Sequence, residues 1–245
     1  MEIIHELLGY ENIKIVQRKD MFNFSLDSIL LADFVRVKRQ NDKIIDLGCG
    51  NGPIPLFLTL KTKGKIVGIE LQEEVYRLAK KSVEINHFEN QITIINENIK
   101  NIYTIVGANV FNTVVSNPPY FKYCPTSNIN KTPFLTIARH EVAITLDEIV
   151  NEAKKLLCDG GMLNMIHRTE RLSEFIALLK KHNFGLKRLR FVYPKAGSLS
   201  ALVFLAEAKS NRKDDVVVEA PLYVYKGDNE YTEEVLKIFN FKKQI

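Results

Sequence analysis

The chain is expected to fold as an α/β domain with a mostly parallel sheet and helices on both faces. Three observations carry that expectation. Short apolar runs alternate with helix-length amphipathic stretches along most of the 245 residues. The first of these runs, Lys43-Ile44-Ile45, leads into Asp46-Leu47-Gly48-Cys49-Gly50-Asn51-Gly52. The next, Lys65-Ile66-Val67-Gly68-Ile69, ends in an acid, Glu70. In a doubly wound sheet, an acid roughly 20 residues past a glycine loop hydrogen-bonds ribose hydroxyls.

The elements follow in order. Leu26, Ile29, Leu30, Phe34 and Val37 recur at helical spacing and predict a helix over 26–38. Strands are expected near 43–46, 65–70, 91–95 and 110–116, with helices near 53–61, 72–87 and 98–104 between them. A long segment, 120–143, precedes a helix near 145–157, a strand near 161–167 and a helix near 170–182. Strands near 186–193 and 199–207 are joined through Pro194-Lys195-Ala196-Gly197-Ser198 and read as a hairpin-like pair. The tail, 210–245, holds a charged break, one strand-like piece and a helix near 232–239 capped by Thr232. No internal repeat or low-complexity tract interrupts the pattern.

The strand Val110–Ser116 is stopped by Asn117-Pro118-Pro119-Tyr120. Paired prolines fix φ and remove donors, so the loop is stiff and its carbonyls stay unused. Asn117 adds a side-chain carbonyl and Tyr120 a flat ring. The set suits a planar group that carries an NH2: the carbonyls of Asn117 and Pro118 accept its hydrogens while Tyr120 stacks on the ring. The plainer alternative is a strand-to-turn transition, since Asn-Pro pairs often start turns.

The glycine loop differs from the dinucleotide fingerprint in reading G-x-G-x-G and then Pro53. A pyrophosphate needs free N–H donors at a helix N-terminus, and Pro53 removes one. Asp46 also repels a phosphate but could receive an ammonium group. S-adenosylmethionine has that ammonium and no phosphate. For one acid alone, a solvated strand end is the better reading; strand, loop, helix, strand and acid in series favour a binding site.

Composition fits an intracellular enzyme of one α/β domain. Cys49, Cys124 and Cys158 lie far apart, which disfavours a metal site and a disulfide framework. The acidic start Met1-Glu2-Ile3-Ile4-His5-Glu6 is unlike a secretory signal, and no run approaches the ~20 apolar residues of a membrane span. A cytoplasmic location is expected. Net charge is +5, but residues 168–195 hold eight cations against Glu170 and Glu174. That excess is either a footprint for nucleic acid or the solvated face of a helix and its loops.

Asp46 to Gly52, Glu70 and the Asn117 tetrapeptide resemble the motifs of Rossmann-like class I methyltransferases acting on amino groups. The closer resemblance is to bacterial tRNA adenine-N6 methyltransferases that modify the adenosine beside the anticodon of a valine tRNA. Phe22 to Ala32, Ala138-Arg139-His140-Glu141, Asp159-Gly160-Gly161 and His167 to Arg171 support it. The resemblance implies a mostly parallel seven-stranded sheet with one antiparallel strand near the C-terminus. It implies a single domain over 1–245, with a cofactor-covering segment 1–42, a catalytic core 43–208 and an extension 209–245. S-adenosylmethionine is the implied cofactor, held by Asp27, Asp46, Gly48, Gly50, Gly52, Glu70, Leu71, Asn98 and Asn117. Asn117, Pro118, Pro119 and Tyr120 are the implied catalytic set. The family often has Asp where this chain has Asn98; an amide oxygen accepts a hydrogen bond more weakly than a carboxylate. tRNA is the implied partner, with Lys122, Arg139, Arg168, Lys187, Arg188 and Arg190 on its phosphates and no metal. His140 reads as structural or exposed rather than as a base.

Four rival functions are weighed. A glutamine-amide methyltransferase of proteins could use the same loop, but those enzymes carry an N-terminal helical domain, and only 45 residues precede Asp46. The same shortage disfavours a duplex-reading DNA methyltransferase. A guanine-N2 methyltransferase of ribosomal RNA has a similar loop, usually with Phe in place of Tyr120. A non-catalytic RNA-binding module is disfavoured by the intact Asp46, Glu70 and Asn117 set.

Overall fold

The computed structural model of the chain describes residues 2–18, 25–120, 144–227 and 230–240. The chain opens with an antiparallel hairpin, β1 (Glu2–Leu7) and β2 (Tyr10–Arg18), which pairs with no other strand among the described residues. Then come α1 (Leu26–Phe34), β3 (Ile44–Leu47), α2 (Pro53–Leu58), β4 (Ile66–Glu70), α3 (Glu73–Ile85) and β5 (Ile92–Asn96). A single turn, α4 (Tyr103–Val106), leads into β6 (Phe111–Ser116). Past residue 143 lie α5 (Leu146–Leu156), β7 (Leu157–Arg168), α6 (Leu172–Lys181), β8 (Phe184–Lys195) and β9 (Val203–Ser210). The tail contributes β10 (Val217–Val218), β11 (Leu222–Gly227), β12 (Glu230–Tyr231) and α7 (Glu233–Ile238).

The heart of the sheet runs β8-β9-β7-β6-β3-β4-β5, with β9 antiparallel to both neighbours and the other pairs parallel. This is the expected seven-stranded arrangement with its one antiparallel strand. The sheet does not stop there. β10 and β11 lie end to end along the outer edge of β8, and β12 pairs antiparallel with β11. The tail thus covers what would otherwise be an open edge strand, with its row of unpaired backbone groups.

One core lies between the sheet and α1, α2 and α7 and takes in Ile29, Leu56, Val115, Leu205 and Val235. The other lies against α5 and α6 and takes in Ile149, Leu163, Phe175 and Phe204. Buried parallel strands explain the near-continuous apolar runs of β3 and β6. Local chemistry sets the helix starts: Thr145 and Glu148 form a reciprocal capping box at α5. At α2, Gly52 is left-handed and Pro53 occupies the first helical position, where a missing N–H costs nothing. No helix among the described residues is long and apolar enough to cross a membrane.

Candidate active site

All parallel strands of the sheet end on one side, and there the loops after β3, β4, β5 and β6 surround a cleft. This is where open α/β sheets place their ligands. The glycine loop forms one wall. Gly48, Gly50 and Gly52 have φ of +82°, +56° and +90°, so a side chain at any of them would strain the turn. Glu70 locks this loop from the neighbouring strand. Its carboxylate accepts from Gly50 N at 3.0 Å and from Gln72 N at 2.8 Å. Burial raises its pKa, against the lowering effect of those backbone donors.

Asp46 is fully buried, and neither carboxylate oxygen has a partner among the described residues. Burial, and then the charge of Glu70, push its pKa well above the carboxylate range. Burial followed by the same two acids raises the Cys49 thiol. The floor of the site therefore holds two buried acids whose ionised forms burial disfavours, and Asp46 has no counter-charge or donor among the described residues.

Asn117, Pro118 and Pro119 form the opposite wall. Asn117 is oriented by α1: its Nδ2–H donates to Ser28 Oγ at 3.0 Å, which turns the amide oxygen away from the serine. Ser116 Oγ donates to Leu47 O at 2.8 Å and ties the end of β6 to β3. Tyr120 does not line the cleft. Its hydroxyl donates to Asp27 Oδ2 at 2.8 Å, and its ring lies 5.3 Å from that of His167. Burial and then Asp27 raise the Tyr120 pKa, so the phenol keeps its proton. His167 is fully buried, accepts from Arg168 N through Nδ1 at 2.8 Å, and is held neutral by burial and the Arg171 charge, with a pKa of about 3.

Of the residues expected at the cofactor, Gly48, Gly50, Glu70, Leu71, Asn98 and Asn117 line the cleft. Asp46, at the end of β3, and Gly52, at the start of α2, do not line it. Asp27 does not line the cleft; its carboxylate accepts from the Tyr120 hydroxyl instead. Asn98 Oδ1 already accepts from Lys100 N at 2.9 Å, which leaves one oxygen lone pair and the NH2 group. Ser28 is a cleft residue that sequence reasoning missed, although it lies inside the segment from Phe22 to Ala32. Among the described residues, no group of three or more His, Cys, Asp or Glu is placed to hold a metal.

The expected phosphate contacts need correction. Arg188 is buried (6% exposed) and stacked on Phe34, with its Cζ 3.6 Å from the ring centroid. It donates to Phe34 O at 2.6 Å and to Glu207 and Glu219 at 3.2 Å each. A guanidinium so enclosed is a structural clamp and cannot reach a phosphate. Arg190 donates to Ala220 O and to Glu234 at 2.7 Å. Lys187 lies 4.0 Å from Asp215 and near the start of β8, at the end of the sheet away from the cleft. Arg168 alone of the described set ends a strand beside the cleft, pairing with exposed Glu170 at 3.2 Å. Lys122, Arg139 and His140 lie outside the described residues, as do Phe22 to Phe24 and Ala138 to Glu141.

Relatives named tRNA1(Val) (adenine(37)-N6)-methyltransferase match nearly the full length. One from Phocaeicola vulgatus is 26% identical over 205 residues, covering 81% of this chain and 83% of the relative. One from Pseudoalteromonas translucida is 25% identical over 234 residues, covering 94% and 95%. A crystal structure of a predicted O-methyltransferase from Agrobacterium tumefaciens is 23% identical with a TM-score of 0.69, covering 87% of this chain and 95% of that one. The geranyl diphosphate C-methyltransferase of Streptomyces coelicolor, solved with S-adenosyl-L-homocysteine, is 11% identical with a TM-score of 0.54, covering 74% and 77%. At these identities the structures speak for the fold alone, and that fold is the class I methyltransferase fold. The family model described as methyltransferase small domain matches residues 13–186, most of the chain. The chain therefore belongs to the methyltransferase small domain family.

Proposed function

We propose that the chain transfers the methyl group of S-adenosylmethionine to the exocyclic N6 of an adenine in tRNA, the adenosine beside the anticodon of a valine tRNA. The observation that carries this reading is the placement of Asn117: its amide is fixed by Ser28 across the cleft from a glycine loop backed by two buried acids. The names of the relatives point to the same substrate. When bound, the cofactor supplies an electrophilic methyl on a sulfonium. Glu70 holds its ribose hydroxyls, and Gly48, Gly50, Leu71 and Asn98 wall its adenosine. A cationic ligand in the cleft offsets the negative charge of Asp46 and Glu70, which burial alone leaves unfavourable.

Adenine N6 is a poor nucleophile because its lone pair is delocalised into the ring. The Asn117 side chain and the Pro118 carbonyl accept its two hydrogens and turn the lone pair towards the methyl. The same dipoles stabilise the positive charge that develops on N6. The base leaves its own stack to reach this loop, and Tyr120, held by Asp27 and packed on His167, braces the loop instead of lining the cleft. In this reading residues 1–42 cover the cofactor, 43–208 form the catalytic core and 209–245 extend the sheet. Arg168, with Lys122 and Arg139, meets phosphates in the cytoplasm, where tRNA resides.

The test is to treat a valine tRNA with the protein and a labelled methyl donor, digest it and identify the modified nucleoside. N6-methyladenosine is expected; label in N2-methylguanosine, or in a protein glutamine, overturns the assignment. Glu70→Ala should weaken S-adenosylmethionine binding by about 1.5–3 kcal/mol, the range for hydrogen bonds to a charged group. Part of that loss comes through the glycine loop, since Gly50 and Gln72 lose their acceptor. Calorimetry giving wild-type affinity for the variant would remove Glu70 from the site.

A further inference from the structure

An aromatic row leaves the active site and crosses the sheet. Tyr120 lies against His167, and His167 stacks on Phe204 with centroids 6.4 Å apart. Phe204 pairs in register with both His167 on β7 and Phe191 on β8. Two residues further along β8, on the same face, stands Tyr193. Its register partner on β11 is Tyr223, with ring centroids 5.8 Å apart and planes at 41°. The inner members of the row, His167 and Phe204, are fully buried and belong to the core. Tyr193 and Tyr223 are half-buried; Tyr193 stands near the C-terminal end of β8, on the side of the sheet that carries the cleft, and Tyr223, at the start of β11, is level with it in parallel register.

The connection from β8 to β9 begins beside them. It is pinned at its base by Leu202 N to Val192 O at 2.9 Å and by Ser198 N to Lys195 O at 3.1 Å. Yet Leu199 at its tip is entirely exposed, at 104% of the reference area, and Leu202 is 42% exposed. A single exposed leucine is ordinary. A fully exposed leucine on a tethered turn that leaves β8 six residues past Tyr193 adds apolar carbon to the strand end where the half-buried Tyr193–Tyr223 ring pair stands. Arg168 and Lys195 stand along the same strand ends. Nucleotides splayed from an RNA loop are bound by aromatic stacking together with cations for the backbone. A protein partner would be served by the leucine and would gain little from a row of rings that starts at the acceptor loop.

We propose that Tyr193, Tyr223 and Leu199 form a subsite that stacks unpaired nucleotides flanking the target adenosine in the tRNA loop. The inference rests on the reading of the cleft as an RNA adenine-N6 site. β8 lies three strand positions from β6, which bears Asn117, and β11 lies four. At ~4.8 Å per position that is roughly 14–19 Å, within the span of one anticodon loop. The C-terminal extension thereby acquires a part in substrate recognition, since it supplies Tyr223.

The experiment uses the full chain and an anticodon stem-loop of a valine tRNA with 2-aminopurine replacing, in turn, each nucleotide flanking the target. Wild-type protein should change the fluorescence of at least one flanking probe. Tyr193→Leu and Tyr223→Leu, which keep apolar bulk and lose the ring, should each remove that change. Each should raise KM for tRNA about tenfold, as loss of one base–aromatic stack does. Affinity for S-adenosylmethionine should stay unchanged, and Tyr223→Phe should restore KM. Leu199→Ser sits on an exposed turn that cannot threaten the fold, and it should raise KM severalfold. If the Leu variants fail to fold, Leu199→Ser and the wild-type probe response still decide. Unchanged KM and an unresponsive probe, with tRNA still methylated at N6, overturn the subsite and leave the function standing. Absence of N6 methylation by the wild type overturns the function itself.

Discussion

Asn117→Ala should reduce turnover on saturating tRNA by roughly 10²–10³-fold or more, the scale seen when one preorganised polar contact to a developing charge is removed. Affinity for S-adenosylmethionine should be nearly unchanged, because the amide acts on the acceptor. The loss should appear in kcat and not chiefly in KM, since the contact strengthens as N6 becomes positive. The structure adds a graded companion. Ser28 Oγ accepts from the Asn117 amide at 3.0 Å and holds its orientation. Ser28→Ala should therefore give a partial loss, with the amide present but free to turn. Single-turnover measurements at saturating tRNA separate the two variants. Near-normal turnover of Asn117→Ala would remove the residue from the chemistry.

Arg188→Ala should destabilise the fold by about 3 kcal/mol, towards the lower end of the range for breaking a buried ion pair. Its side chain is only 7% exposed, and its loss strands Glu207, which is 12% exposed, and leaves Glu219 with Arg36 alone of its two arginines. It also removes the stacking on Phe34 and the bond to Phe34 O at the end of α1. Since α1 carries Asp27 and Ser28, residual activity should fall with the stability. Arg188→Lys should not rescue it, because an ammonium cannot serve three acceptors and a ring face in one plane. Denaturant melts read the effect. Wild-type stability combined with weakened tRNA binding would restore Arg188 to the surface.

That residue marks where sequence reading runs out. Strands expected at 43–46, 65–70, 91–95 and 110–116 correspond to Ile44–Leu47, Ile66–Glu70, Ile92–Asn96 and Phe111–Ser116, because buried parallel strands announce themselves as β-branched runs. The glycine loop and the Asn-Pro-Pro wall were legible for a related reason: both are local backbone devices. Arg188 was not. Its acids lie 19 and 31 residues away along the chain, so a run of cations looked like open surface while the fold was neutralising it. Ser28 and the bond between Tyr120 and Asp27 are also long-range, at separations of 89 and 93 residues. The hairpin of β1 and β2 escaped notice because β1 is mostly exposed and lacks a clean alternation. Its hold comes from docking, through Val16 N to Ser82 Oγ and Asn51 Nδ2 to Val16 O. The strand expected from 199 begins at Val203, because Ser198–Leu202 form the pinned turn.

The hairpin has a second anchor at the far end of the chain. Gly9 N donates to Phe239 O, Asn240 Nδ2 to Gly9 O and the Tyr10 hydroxyl to Ile238 O, the last across 228 positions. During synthesis the hairpin emerges 228 positions ahead of this anchor. At ~5–20 residues per second, it waits on the order of ten seconds or more before it can seat fully. Bringing such distant segments together is also entropically slow. The glycine loop, locked from one side by Glu70 and latched through Asn51 to Val16, is thereby tied through the hairpin to residues near 239. A chain lacking the segment near 239 would therefore leave the hairpin unanchored at its turn, with every cleft residue already made.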